Sequence, residues 1–400
     1  MKRRCRCCPL VDCQLRDRSR ARRARHAPDR VERDQRDLSR AKRLKSSTQA
    51  PIPRLVCPQA CEADKIASAH VDRFLVSAAQ YDGMPPQALD WVHSSEERER
   101  TILIRIGFEI AVDCPKPTPM LLAMYPSCVN NRRMIGSDHI RTEPEVAVEG
   151  YMDMFGNRCA RLEAPRGAMN LWSDCIVEDT GEPDEFNWNA RQHEIVDLPV
   201  ETLAYLTASR YCESDELVER AWDLFGATPP GWARVQAISN WVHNHILFGY
   251  RFARATKTAV DVLREGTGVC RDFAHLFIAL CRAMNIPARY ASGYLSDIGA
   301  KAEGAGDFCA WGEVFLEERW YVFDARHNTP RIGRILMVRG RDAADVAMMT
   351  AFGNYLLAHL KVWADGIDES LSESELMEAL QSRPVSEALV LEQSSGRLRL

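Results

Sequence analysis

The residue best placed for chemistry in this sequence is a cysteine at the start of a predicted helix. In Gly268-Val-Cys270-Arg-Asp-Phe-Ala, the cysteine opens a run whose apolar residues recur at helical spacing until Asn285-Ile-Pro287 ends it. Unpaired N–H groups and the dipole at a helix start favour an anion, which lowers the pKa of a thiol. Cys270 therefore has the position of a nucleophile, and the alternative is a buried structural cysteine.

A predicted hairpin over residues 307–328 carries further polar side chains. Two runs rich in β-branched and aromatic residues flank Glu317-Glu318, which is typical of a hairpin turn. A two-residue turn makes Cys309 the diagonal neighbour of Asp324, whereas a turn one residue longer places Cys309 opposite His327. Because an isolated carboxylate in an apolar strand is costly to bury, Asp324 is expected to have a partner.

The elements that position these residues follow from the spacing of apolar side chains. Apolar residues alternate with others from residue 101 to 112, which predicts a strand buried on one face. Several short strands in about 100 residues suggest a small β-sandwich or barrel, with a hairpin turn at Gly156-Asn157. Two amphipathic helices are predicted near 214–226 and after residue 231. The other predicted elements are strands at 144–152, 158–163, 168–178, 288–295, 331–337 and 357–364, and a short helix at 342–349.

Composition limits the class of protein. The 400 residues are 46% apolar, which is enough for two or three domains, and no apolar run approaches the roughly 20 residues of a membrane helix. Fourteen cysteines scattered through a long chain do not indicate a disulfide scaffold. We therefore expect a reducing environment and a cytoplasmic protein.

The N-terminal segment differs from the rest of the chain. Residues 1–50 carry 17 Lys/Arg and 6 Asp/Glu, whereas the remaining residues carry 35 and 50, so only this arm could attract nucleic acid. It has little apolar periodicity and is expected to be disordered. We expect translation to begin nearer Met84. The arm contains six cysteines: Cys5, Cys7, Cys8, Cys13, Cys57 and Cys61. The first three are too close together for the ordinary spacing of metal ligands.

Four stretches together resemble the bacterial transglutaminase-like proteins, which belong to the papain-like cysteine superfamily. They are Gly-Val-Cys270-Arg-Asp-Phe-Ala, Ile-Pro-Ala-Arg289 followed by Gly293-Tyr294, Ala-Trp311-x-Glu-Val, and Arg-Trp-Tyr-x-Phe-Asp324. The resemblance covers roughly residues 101–352. It implies a cysteine nucleophile at a helix start, a histidine on one strand and an aspartate on the next, with a β-rich domain before the core.

The sequence departs from this family pattern at the base. Cys270 matches the nucleophile and Asp324 the aspartate, but the family motif His-Ala-Trp is here Cys309-Ala-Trp. In such a site the imidazole takes the thiol proton and later protonates the leaving amine. A second thiol, with an ordinary pKa near 8.5, is a poor base at neutral pH.

Four interpretations of this site remain open from the sequence. In the first, His327 replaces the missing base, and the protein cleaves or transfers the acyl group of a protein or peptide amide. In the second, the fold is a catalytically inactive peptide-binding module. In the third, Cys270 and Cys309 form a reversible disulfide. The fourth is a zinc site of Cys270, Cys309, Asp324 and His327, whose spacings match no familiar zinc motif.

We predict an α+β chain in which a nucleophile helix packs on an antiparallel sheet after an N-terminal antiparallel β-domain. The predicted boundaries are 1–98 for the arm and linker, 99–198 for the β-domain, 199–352 for the transglutaminase-like core and 353–400 for a C-terminal strand and tail. The predicted site consists of Cys270, Cys309, Asp324 and His327. We expect no metal, calcium or organic cofactor, no membrane association, and a protein or peptide substrate. The other histidines and cysteines considered are expected to be packing or surface residues: Cys212, His243, His245, His275 and Cys281.

Overall fold

The computed structural model describes residues 101–127, 133–299, 307–368 and 370–381. The basic arm, its cysteines and the expected start near Met84 lie outside these residues. In the described part of the chain, the helices are too short or too polar to cross a membrane.

Strands and helices are both well represented in the described residues, which confirms the predicted α+β class. The strands are β1 (Ile102–Cys114), β2 (Thr118–Leu122), β3 (Met134–Glu143), β4 (Glu149–Met152), β5 (Arg158–Ala164), β6 (Gly167–Asp179), β7 (Leu247–Phe248), β8 (Thr267–Gly268), β9 (Ala288–Leu295), β10 (Cys309–Leu316), β11 (Arg319–Phe323), β12 (Arg334–Gly340), β13 (Met349–Ala351) and β14 (Leu356–Ile367). The α-helices are α1 (Val218–Phe225), α2 (Trp232–His245), α3 (Ala259–Glu265), α4 (Cys270–Ala283) and α5 (Glu373–Ala379).

The β-rich region contains two four-stranded antiparallel sheets, in the orders β14-β1-β6-β3 and β13-β2-β5-β4. The even-numbered residues of β1 from Ile104 to Val112 are buried, as their alternation predicts. Strands β4 and β5 form the hairpin predicted at Gly156-Asn157, and Gly156 has the positive φ of 80° that this turn requires.

Strands from the end of the chain complete both of these sheets. β14 pairs with β1 over most of its length, and β13 pairs with β2. The strand predicted near residues 357–364 is therefore hydrogen-bonded to the first strand of the β-rich region. The boundaries proposed at residues 198 and 352 stay predictions.

The second half of the chain is built around α4 and the sheet β11-β10-β9-β12. Every residue of α4 from Asp272 to Ala283 is buried, because the other helices cover the faces that the sheet does not. Gly312 of β10 permits the close approach of helix and sheet, since a Cβ there would lie 2.5 Å from the ring of Phe277. This contact fixes the distance between the start of α4 and the start of β10.

Two of the local predictions are wrong. Residues 342–348 form turns and bends rather than a helix, and Met349 begins β13. The Asp342 carboxylate accepts hydrogen bonds from the backbone N–H groups of Ala344 and Tyr211 and so competes with helical bonding. Residues 144–148 lie outside β4, which begins at Glu149. Strands β2 and β3 were missed.

Candidate active site

Cys270 is the first residue of α4, as the sequence predicts, and its side chain is partly exposed. The first turn is fixed by Asp272, whose fully buried carboxylate accepts the N–H of Val269 at 3.0 Å and pairs with the Arg271 guanidinium at 2.9 Å. The N–H groups and dipole of this turn therefore surround Cys270 with positive potential.

Cys309 contacts Cys270 from the start of the neighbouring strand β10. The Cys270 Sγ donates to the carbonyl oxygen of Phe308 at 3.9 Å, and the Cys309 Sγ donates to that of Ala310 at 3.8 Å. The Cys309 thiol is close enough to Cys270 to donate to it when Cys270 is ionised, which lowers the pKa of Cys270. Cys309 is 4% exposed and lies opposite Gly293 of β9, where a Cβ would come within 2.1 Å of the Ile335 carbonyl oxygen. Because Gly293 has no side chain, strand β12 can approach closely and pair with β9 at this end of the sheet.

Asp324 and His327 form a hydrogen-bonded pair just beyond β11. His327 Nδ1 lies 2.8 Å from Asp324 Oδ2, and the N–H groups of Arg326 and His327 donate to Asp324 Oδ1 at 3.1 and 3.2 Å. The hairpin has the two-residue turn, with Leu316 opposite Arg319, so Cys309 is near Asp324 as the diagonal register requires. Ligand atoms of Cys309, Asp324 and His327 all lie within 4.8 Å of one another.

A buried arginine that the sequence analysis missed also contacts the aspartate. The Arg334 Nη2 lies 3.3 Å from Asp324 Oδ2, and the same guanidinium forms bonds of 3.0 Å with both carboxylate oxygens of Asp184. It lies over the ring of Trp311 at 4.6 Å. Burial alone would raise the pKa of Asp324, but the hydrogen bond from His327 and the charge of Arg334 hold it well below its usual range.

The pKa values of the two thiols are shifted in opposite directions. The hydrogen bond from Cys309 lowers the pKa of the Cys270 thiol by more than burial raises it. That bond raises the pKa of Cys309 well above its usual value, and burial and the charge of Asp324 act in the same direction. When one thiol of the pair ionises, the negative charge therefore lies on Cys270, with Cys309 as the donor.

Among the described residues, Cys309, Asp324 and His327 form a group of three ligand-type side chains close enough to hold a metal ion, and Cys270 is not part of it. The geometry does not favour a divalent cation. Both oxygens of Asp324 already accept hydrogen bonds, and a buried guanidinium lies 3.3 Å from one of them. The four-ligand zinc interpretation therefore gains no support from these contacts.

Comparison with known proteins connects this arrangement to a family. Residues 221–325 match the family model of the transglutaminase-like superfamily, a span that holds Cys270, Cys309 and Asp324. The crystal structure of a candidate cysteine protease from Cytophaga hutchinsonii is 28% identical with a TM-score of 0.60, and the match covers 68% of this chain and 93% of that one.

Residues 221–325 of this chain therefore form a transglutaminase-like domain. An uncharacterised protein of Mycobacterium leprae is 26% identical to the whole chain over 229 residues, covering 54% of the chain and 80% of the relative. One from Mycobacterium tuberculosis is 36% identical over 111 residues, so this chain spans about a third (35%) of that relative's length. The family match and the similar protease structure support a general cysteine-based chemistry.

The remaining histidines and cysteines of the superfamily core lie away from the thiol pair. His275 is fully buried, stacks on Tyr211 and accepts a hydrogen bond from the N–H of Ala343. His243 and His245 are exposed on α2, where each ring hydrogen-bonds a backbone carbonyl. Cys212 and Cys281 are fully buried, and the described cysteines are all free thiols.

Proposed function

We propose that this protein transfers the acyl group of a protein or peptide amide through Cys270, and that His327 supplies the acid–base function of the missing family histidine. One observation carries this assignment. The imidazole of His327 is hydrogen-bonded at 2.8 Å to Asp324, the residue that matches the family's orienting aspartate. An imidazole held by a carboxylate in this way is the usual partner of a catalytic nucleophile.

The proposed proton path runs from Cys270 through Cys309 to His327. Cys309 is close enough to donate to an ionised Cys270, and its Sγ lies within 4.8 Å of a ring nitrogen of His327. Cys309 passes its proton to the imidazole and receives the proton of Cys270, which leaves a thiolate on Cys270 and an imidazolium on His327. Asp324, ionised and buried, stabilises that imidazolium.

The acylation step then proceeds at the start of α4. The Cys270 thiolate attacks the amide carbon, and the backbone N–H of Cys270 is the proposed donor to the oxygen that becomes negative. The S–C bond forms as the C–N bond breaks, and the leaving amine receives the proton held by His327, returned through Cys309. The product is a thioester on Cys270, open to water or to an amine.

Single substitutions in the full-length protein test this assignment with a library of peptide amides as substrates. Cys270→Ala abolishes turnover, and His327→Gln lowers it by a factor of about 100 to 10,000, the usual contribution of a general acid–base group. His139→Gln is the matched control, because His139 is exposed on β3 of the other sheet. Wild-type turnover that survives His327→Gln unchanged contradicts the relocated base.

A thiol redox pair is the second candidate, and the packing of Cys270 against the cluster that contains Cys309 favours it. A peroxide would take two electrons and two protons from the thiols as their sulfurs join, and it would leave as water. The expected product has lost two hydrogens in intact mass, and the loss is absent in Cys309→Ala. If wild-type protein binds peptides but neither cleaves them nor forms this disulfide, the inactive binding module is the correct interpretation.

A further inference from the structure

The three residues 307–309, which lead into β10, lie beside the nucleophile. The ring of Phe308 packs against Phe108 and Tyr294, at centroid distances of 6.1 and 5.2 Å, and its carbonyl oxygen lies 3.9 Å from Cys270 Sγ. In extended backbone, the side chains on either side of such a residue lie on the opposite face. Asp307 and Cys309 therefore share the face towards Cys270.

Asp307 is held in place by two hydrogen bonds and is partly exposed. Its Oδ1 accepts the N–H of Phe308 at 2.7 Å, and the hydroxyl of Tyr250 also donates to the carboxylate. Burial raises the pKa of Asp307 to about 6, although both hydrogen bonds and the charge of Arg326 lower it. The titratable or charged groups facing it are Tyr250, Arg326 and Cys270.

We propose that Asp307 is the base for the second half of the reaction, accepting the proton of the water or primary amine that attacks the Cys270 thioester. This inference rests on the proposed function. The acceptor's lone pair forms the new bond to the acyl carbon, and the C–S bond breaks with its electron pair left on Cys270. The proton moves to the Asp307 carboxylate and from there to solvent.

The route to Cys270 distinguishes Asp307 from His327 in this role. An acceptor arrives from solvent, and Asp307 is a partly exposed residue whose charge acts on Cys270. His327 communicates with Cys270 through Cys309, which is 4% exposed and closed off from an arriving acceptor. Two separate proton-handling groups near one thiolate match the two halves of the reaction.

The ester p-nitrophenyl acetate separates the two halves in full-length protein. Its leaving group needs no proton, so the burst of p-nitrophenolate reports acylation of Cys270 and the later steady rate reports deacylation. Asp307→Asn is expected to keep the full burst and to lower the steady rate about 100-fold. Asp297→Asn is the control, because Asp297 is an exposed carboxylate in the loop after β9.

The pH dependence distinguishes a base from a structural residue. In wild-type protein the steady rate should rise with pH around the Asp307 pKa of about 6, and this rise disappears in Asp307→Asn. Tyr250→Phe removes a donor that lowers this pKa, so the rise should move to higher pH while the plateau remains.

The outcomes separate this inference from the function on which it rests. A wild-type burst that is absent in Cys270→Ala supports Cys270 as the nucleophile. With that burst present, an unchanged steady rate and pH profile in Asp307→Asn overturn the role of Asp307 alone. If the wild-type protein gives no burst that depends on Cys270, the proposed function itself fails.

Discussion

The replacement Cys309→Ala tests how the Cys270 thiol is activated in a site where its neighbour on β10 is a second thiol. Alanine removes the hydrogen-bond donor that favours the Cys270 thiolate and leaves α4 and its dipole in place. A hydrogen bond to a charged group contributes about 1.5–3 kcal/mol, and a thiol is a weak donor, so the lower value applies. Since one pKa unit corresponds to about 1.4 kcal/mol, the pKa of Cys270 should rise by about one unit.

The assay is the rate of iodoacetamide alkylation of Cys270 measured from about pH 5 to about pH 10, with peptide mapping to locate the label. Below the pKa, the variant should react about ten times more slowly than wild-type protein because its thiolate fraction is smaller. Cys309→Ser keeps a donor, so its Cys270 pKa should lie closer to the wild-type value. Cys159→Ala removes a buried thiol from β5 and should leave the rate unchanged.

An unchanged or lower Cys270 pKa in Cys309→Ala would refute this reasoning. It would mean that the helix start alone activates the thiol and that Cys309 is a packing residue. An alkylation profile that changes equally in Cys159→Ala would instead point to a general loss of packing.

Three further substitutions test the scaffold of the site. Asp324→Asn leaves Arg334 without one of its charge partners and should lower the free energy of unfolding by about 3 kcal/mol in urea titrations at neutral pH. Because the pKa of Asp324 is lower in the folded state, its stabilisation is present above about pH 4 and is lost as pH falls, so this difference from wild-type protein should shrink in acid. Gly312→Ala should cost about 1–3 kcal/mol and raise the Cys270 pKa, because its Cβ would push the ring of Phe277 and with it α4 away from β10. Glu313→Gln, at a buried carboxylate bonded to two arginines, should lower the unfolding free energy by about 3 kcal/mol and leave the Cys270 pKa unchanged.

The parts of the site that depend on local sequence were predictable. The helix beginning at Cys270 and the strand β9 follow from apolar spacing, and the turn at Glu317-Glu318 sets the register that brings Cys309 near Asp324. These features are decided by residues close together in the chain, so periodicity and turn chemistry suffice.

The parts that depend on distant residues were not predictable. Arg334 binds Asp184, which lies 150 residues earlier, and no periodicity connects two such positions. The pairing of β14 with β1 likewise joins opposite ends of the described chain. Asp307 could have been found from its spacing, because it lies two residues before Cys309 and so shares its face in an extended strand.

The presence of Asp324 is weak support for catalysis in this protein, because its carboxylate also has a structural role. Its carboxylate is one of two partners of the buried Arg334, and a guanidinium left without it would be costly in a core that excludes water. The aspartate would therefore be retained even if the site had lost its chemistry. His327 is different, since it is partly exposed and its removal leaves the bond between Arg334 and Asp324 intact. If His327→Gln loses turnover but keeps its free energy of unfolding, the imidazole beside Asp324 is needed for catalysis and not for folding.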